Sequence, residues 1–119
     1  MQNTFSALRI TDYDKSKEFY VSGLGFQIDW EHRYGPDFPV FVQLIKEGLS
    51  LYLSQHKGDC RVGGLAFFYV ADVDAWYNEC VGHGIVPSTL PRTQPWGNRE
   101  MRLTDPDGNN LCISQRLKM

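Results

Sequence analysis

The chain has little to staple it and nothing to anchor it in a membrane. Of its 119 residues only three are cysteine, Cys60, Cys80 and Cys112. An odd count without paired spacing argues against a disulfide framework and for a reducing compartment. No run approaches the roughly 18–20 apolar residues of a membrane-spanning helix. The polar start MQNTFS does not read as a signal peptide. Together these absences give the expectation of a soluble cytoplasmic protein. A dominant charge is missing too: 12 Lys and Arg stand against 14 Asp and Glu. No basic cluster forms a phosphate track, which argues against nucleic acid as a partner. There is no Ser-His-Asp order, no phosphate loop and no carboxylate pair placed for acid–base chemistry.

What is present is a repeat. GLSLYLSQ at 48–55 returns sixty positions later as GNNLCISQ at 108–115, with Gly48/Gly108, Leu51/Leu111, Ser54/Ser114 and Gln55/Gln115 in register. LRITDYD at 8–14 faces FYVADVD at 68–74 at the same offset, and GLGF at 23–26 faces GHGI at 82–85, one residue out of step. Three matches in the same order indicate two tandem modules, about 1–58 and 59–119, within one domain over 1–119.

Each module reads as β-α-β-β-β. Alternating or continuous apolar residues predict strands near 4–11, 25–31, 39–46 and 49–54, then 64–71, 85–91, 98–104 and 109–115. Asp14 and Asp74 are the expected helix caps and Gly23 and Gly82 the expected stops. Val73, Trp76, Tyr77 and Cys80 fall on one helical stripe, as do Tyr13, Ser16, Phe19 and Tyr20. DPDG at 105–108 has the composition of a type I turn. The fold class is therefore α+β, two tandem βαβββ modules.

Two such modules, with TDYDKSKEFYVSGLGF in the first and PWGNREMRLTDPDGNNLCIS in the second, resemble the vicinal oxygen chelate superfamily. That superfamily includes glyoxalase I, extradiol dioxygenases, fosfomycin-resistance enzymes and bleomycin-resistance proteins. The second stretch is most similar to the bleomycin-resistance proteins, which carry P-W-G, a strand, then D-P-x-G-N. The superfamily's enzymes hold a divalent metal with His, Gln or Glu at four equivalent strand positions. Counting along the repeat puts those positions at Phe5, Tyr52, Leu65 and Cys112. Two are hydrocarbons without a lone pair, and one thiol cannot hold an ion alone. His32, His56 and His83 fall outside these positions. The expectation is a cup without metal or other cofactor, as in the branch that binds a drug without changing it. The alternative is a metal-dependent lyase, dioxygenase or thiol transferase of the same fold, or a binder of an unrelated metabolite.

Side chains at i and i+2 share a strand face. If the former ligand positions face the cup, Phe5, Ala7 and Arg9 line it, with Ser50, Tyr52 and Ser54, then Leu65, Phe67 and Tyr69, then Asn110, Cys112 and Ser114. The opposite face is uniformly apolar and should meet the helices. The resemblance implies that Trp96 stacks on a flat ligand ring, with Phe38, Tyr34 and Trp30 as candidates for a second ring contact. Acids at Asp29, Glu31, Asp37 and Glu100 are expected to flank a cationic ligand, whereas Arg9 and Arg102 oppose that charge. Cys112 is expected as a small apolar filler and Trp76 as helix core. The implied partners are a bulky aromatic small molecule, such as a cationic glycopeptide antibiotic, and a second copy of the chain. The resemblance places the cup at the dimer interface and allows a swapped first strand.

Overall fold

The computed structural model describes residues 4–117. In chain order the elements are β1 (Ala7–Arg9), α1 (Tyr13–Lys17) running on as a π-helical segment (Glu18–Gly23), β2 (Gln27–His32), β3 (Phe41–Lys46), β4 (Leu49–Ser54), β5 (Leu65–Tyr69), α2 (Val73–Gly82), β6 (Thr89–Thr93), β7 (Asn98–Thr104) and β8 (Asn110–Arg116). They form two four-stranded sheets, β1-β4-β3-β2 and β5-β8-β7-β6. The repeat in sequence is thus a repeat in topology. In each sheet the first strand of the module lies parallel to the last, Ala7 opposite Tyr52 and Phe67 opposite Cys112, and the other pairings are antiparallel.

The helices start two residues earlier than the sequence suggested. Asp12 accepts from the Lys15 N–H and Asp72 from the Ala75 N–H, each at 3.1 Å, because these residues hold the extended backbone a cap requires. Asp14 and Asp74 sit inside the first turn, where their charge suits the positive helix end. Both helices also stop later than expected. Gly23 and Gly82 are still helical, and the positive φ falls at Gly25 and Gly84, each at +85°. Gly23 has a different reason to be glycine: a β-carbon there would lie 2.6 Å from Cδ1 of Ile85. The π-helical segment, in which the Leu24 N–H reaches back to the Phe19 carbonyl, was not legible in the sequence.

Both helical stripes turn inward as predicted, with Tyr77 only partly buried, and the apolar faces of both sheets join them. One cluster holds Leu8, Ile10, Val42, Leu44, Leu51 and Leu53 from the first half and Ala66, Phe68, Met101, Leu103, Leu111 and Ile113 from the second. Phe26 sits at the seam, its ring 6.1 Å from those of both Phe68 and Trp76. Polar ties cross the seam in both directions. The Tyr20 hydroxyl donates to Asp105 at 2.6 Å, from the helix of the first half to the last hairpin of the second. Lys46, in the last hairpin of the first half, donates to Glu79 on α2 at 2.6 Å and to the Leu24 carbonyl. These buried polar groups are partnered, as burial requires. Burial, then the charge of Asp105, holds the Tyr20 phenol far above its ordinary pKa.

Candidate functional site

The alternation that buries one face of each sheet turns the other outward. On β5 the outward residues Leu65, Phe67 and Tyr69 are each almost half exposed, at 47–49%, while Ala66 and Phe68 between them are buried. These outward faces are the candidate site, and their chemistry differs.

The face of the first sheet is a cluster of rings. Tyr52 is its centre: Phe5 meets it edge-on at 5.1 Å, Phe41 lies at 5.0 Å and Trp30 at 5.9 Å, and Trp30 is 5.7 Å from Phe41. A bulge between Ile28 and Trp30 sets Trp30 opposite Gln43 on this face. Gln43 donates to the Ser50 hydroxyl at 3.3 Å. Arg9 lies at the edge, its Nε donating to the Ile10 carbonyl at 3.0 Å. Ser50, with Thr4 and Ser6, forms one wall of a cleft of about 410 Å³ whose other wall holds Phe67 and Tyr69. This cleft is where the two outward faces meet.

The face of the second sheet is built around a carboxylate. Glu100 is 6% exposed. It accepts from the Ser114 hydroxyl at 2.7 Å and from the Trp96 indole N–H at 3.3 Å. Burial by itself would raise its pKa, but hydrogen bonds from Ser114, Trp96, Cys112 and Asn98 outweigh that and hold the carboxyl below the usual range. The indole is thereby fixed at one edge while the ring stays 63% exposed. Trp96 sits between Pro95 and Gly97 because the hairpin has to turn there to present a ring outward. It lines a cleft of about 250 Å³ with Thr89, Leu90, Arg92, Gln94, Glu100 and Arg102. Cys112 is fully buried beside Ser114, and burial raises its thiol pKa. A protonated thiol with no histidine partner is filler rather than a nucleophile. Asn110 accepts from the Thr104 hydroxyl at 3.3 Å at the mouth of the face.

The structure separates some residues that the sequence reading grouped. Tyr34 packs edge-on against His32 and near His56. Phe38 shares a cleft with Arg33, Pro36 and Asp37, and Arg33 holds the Phe38 carbonyl at 2.8 Å. Within one chain neither ring lies against Trp96. Glu31 accepts from the Tyr13 hydroxyl on the helix side; as the strand neighbour of Trp30 it points away from the cup. Phe41, Gln43 and Arg92 were missed. Phe41 and Gln43 follow from applying the same alternation to β3. Arg92 fell outside a strand placed four residues too early.

The four positions that would hold a metal carry an edge-on ring pair, Phe5 and Tyr52, a leucine and a buried thiol. That donor set does not fit a divalent ion. Among the described residues no three His, Cys, Asp or Glu side chains come together.

The model of the family described as glyoxalase superfamily protein matches residues 1–118. The chain belongs to the glyoxalase superfamily. Among proteins of this superfamily fold, a bleomycin-binding protein solved with bleomycin is 25% identical, with a TM-score of 0.79 over 98% of this chain and 100% of that one. TnmS3, an antibiotic binding protein from Streptomyces sp. CB03234, is 26% identical with a TM-score of 0.78, over 98% of this chain and 97% of its own. The protein YraH of Bacillus subtilis is 27% identical over 92% of this chain and 94% of its own length. No described helix is long and apolar enough to cross a membrane.

Proposed function

We propose that this glyoxalase-superfamily chain binds and sequesters a bulky, planar aromatic small molecule without metal and without turning it over. The observation that carries this reading is the Trp96 corner: an exposed indole, fixed through its N–H to the buried carboxylate of Glu100, above an open cleft. An immobilised ring loses little entropy when a ligand stacks on it, and such a stack contributes on the order of 1 kcal/mol beyond area burial. The bleomycin-binding and antibiotic-binding relatives support an antibiotic-like ligand, with a bleomycin-type glycopeptide as the first compound to try.

The cup is completed by a second copy of the chain. The half-exposed Leu65, Phe67 and Tyr69 stripe is apolar surface that a monomer leaves in water, and the 250 Å³ cleft at Trp96 is below the usual size of a drug pocket. Calorimetric titration with bleomycin and with planar aromatic fragments tests the reading, alongside light scattering for the oligomer. Saturable binding that Trp96→Ala weakens by about fivefold or more in a folded, dimeric protein is expected. Stoichiometric metal in purified protein, or binding unaffected by Trp96→Ala, would overturn it.

A further inference from the structure

The outward face of the second sheet carries three arginines and one carboxylate, and the carboxylate is already occupied. In the β6–β7 ladder Arg92 is directly opposite Glu100, yet the two form no ion pair. Glu100 turns inward to Ser114 and Trp96 instead. Arg102 lies 5.8 Å over the Phe67 ring and Arg116 lies 4.2 Å over the Tyr69 ring. Among the described residues none of these three meets a carboxylate. The contrast on the same strand is Arg99, which points to the helix side and grips both oxygens of Asp74 at 2.8 and 2.9 Å. The arginine that faces the protein is neutralised; those that face the cup are not.

Arg92 and Arg102 line the same small cleft as Trp96. Two guanidinium groups beside a stacking platform repel a cation and offer paired donors to an acid group. We infer that the ligand of this cleft is a planar aromatic acid, its ring on Trp96 and its carboxylate or sulfonate between Arg92 and Arg102. The inference rests on the binding reading above and turns it away from a cationic ligand.

Three probes of one shape separate the outcomes: naphthalenesulfonate, naphthalenesulfonamide and a naphthyltrimethylammonium salt, titrated calorimetrically into the full chain. The sulfonate is expected to bind about tenfold or more tighter than the ammonium, the scale of one charge-assisted contact, and to weaken as salt is raised. Arg92→Gln and Arg102→Gln, each checked for an unchanged circular dichroism spectrum, should erase that preference and leave sulfonamide binding in place. An ammonium that binds as tightly as the sulfonate, or a preference that survives both substitutions, overturns the inference while the binding reading stands. Failure of all three probes to bind overturns the inference, and the binding reading then falls only if bleomycin and the planar fragments also fail to bind.

Discussion

The two halves share strand order, pairing and helix placement, but their outward faces have diverged. In the first half the face is aromatic, with Phe5, Trp30, Phe41 and Tyr52 packed on one another. In the second a hydrogen-bonded carboxylate, with an indole above it and arginines around it, stands beside the apolar stripe of Leu65, Phe67 and Tyr69. The inward faces show no such split, since both are mainly apolar and meet in one cluster. The difference shows where each constraint acts. A face that must pack against two helices and the other half admits a charge only where it is paired, as Lys46 is with Glu79 and Arg99 with Asp74, whereas an open face is free to take on chemistry.

The hardest way to break the comparison is at the seam that both halves share. Phe26→Ala removes a fully buried ring that touches Phe68 and Trp76 and should cost about 3–5 kcal/mol, with one cooperative denaturant transition; two separate transitions would mean the halves fold independently. Next is the ring cluster. Tyr52→Ala removes three ring contacts on a partly exposed face and should cost about 1–3 kcal/mol, while leaving the charge preference of the second face untouched in titration. Glu100→Gln acts on the other face and should cost about 1–2 kcal/mol.

The Glu100 change also has a pH signature. Because the folded carboxyl pKa is depressed, its contribution is fully present above the unfolded glutamate value of about 4.3 and is lost as pH falls from there through the folded value. Denaturation curves between neutral pH and the acid range should show Glu100→Gln losing less stability on acidification than the parent. An equal loss would mean that Glu100 does not carry this contribution. The smallest effect is expected at Arg99→Gln, whose pairing with Asp74 lies near the surface: a melting temperature close to that of the parent and unchanged ligand titrations.

Much of this was legible because the physics is local. Period-two alternation placed β4 and β7 at the bounds observed, and the sixty-residue repeat identified the equivalent positions in the two halves. The helical stripe placed Trp76 in the core, where it is buried, whereas Cys112, expected on the cup face as a small filler, is fully buried there. What could not be read depends on context. Asp12 and Asp14 are both plausible caps until the backbone shows which one is extended. The π-helical segment carries no mark in its own residues, and the close approach of Gly23 to Ile85 joins positions far apart in the chain. Phe38 and Tyr34 lie apart from Trp96 within one chain, and a loop's position in space is not written in its own residues. Glu31, as the strand neighbour of Trp30, faces the other way and meets the Tyr13 hydroxyl.

The reciprocal ties across the seam mean that neither half is complete alone. Severed near Gly58, one piece would hold Lys46 deprived of Glu79, and the other Asp105 deprived of Tyr20. Each would carry an unmatched charge and a bare aliphatic slab. Two such pieces made as separate polypeptides are complementary fragments, and the most favourable place for each is against the other.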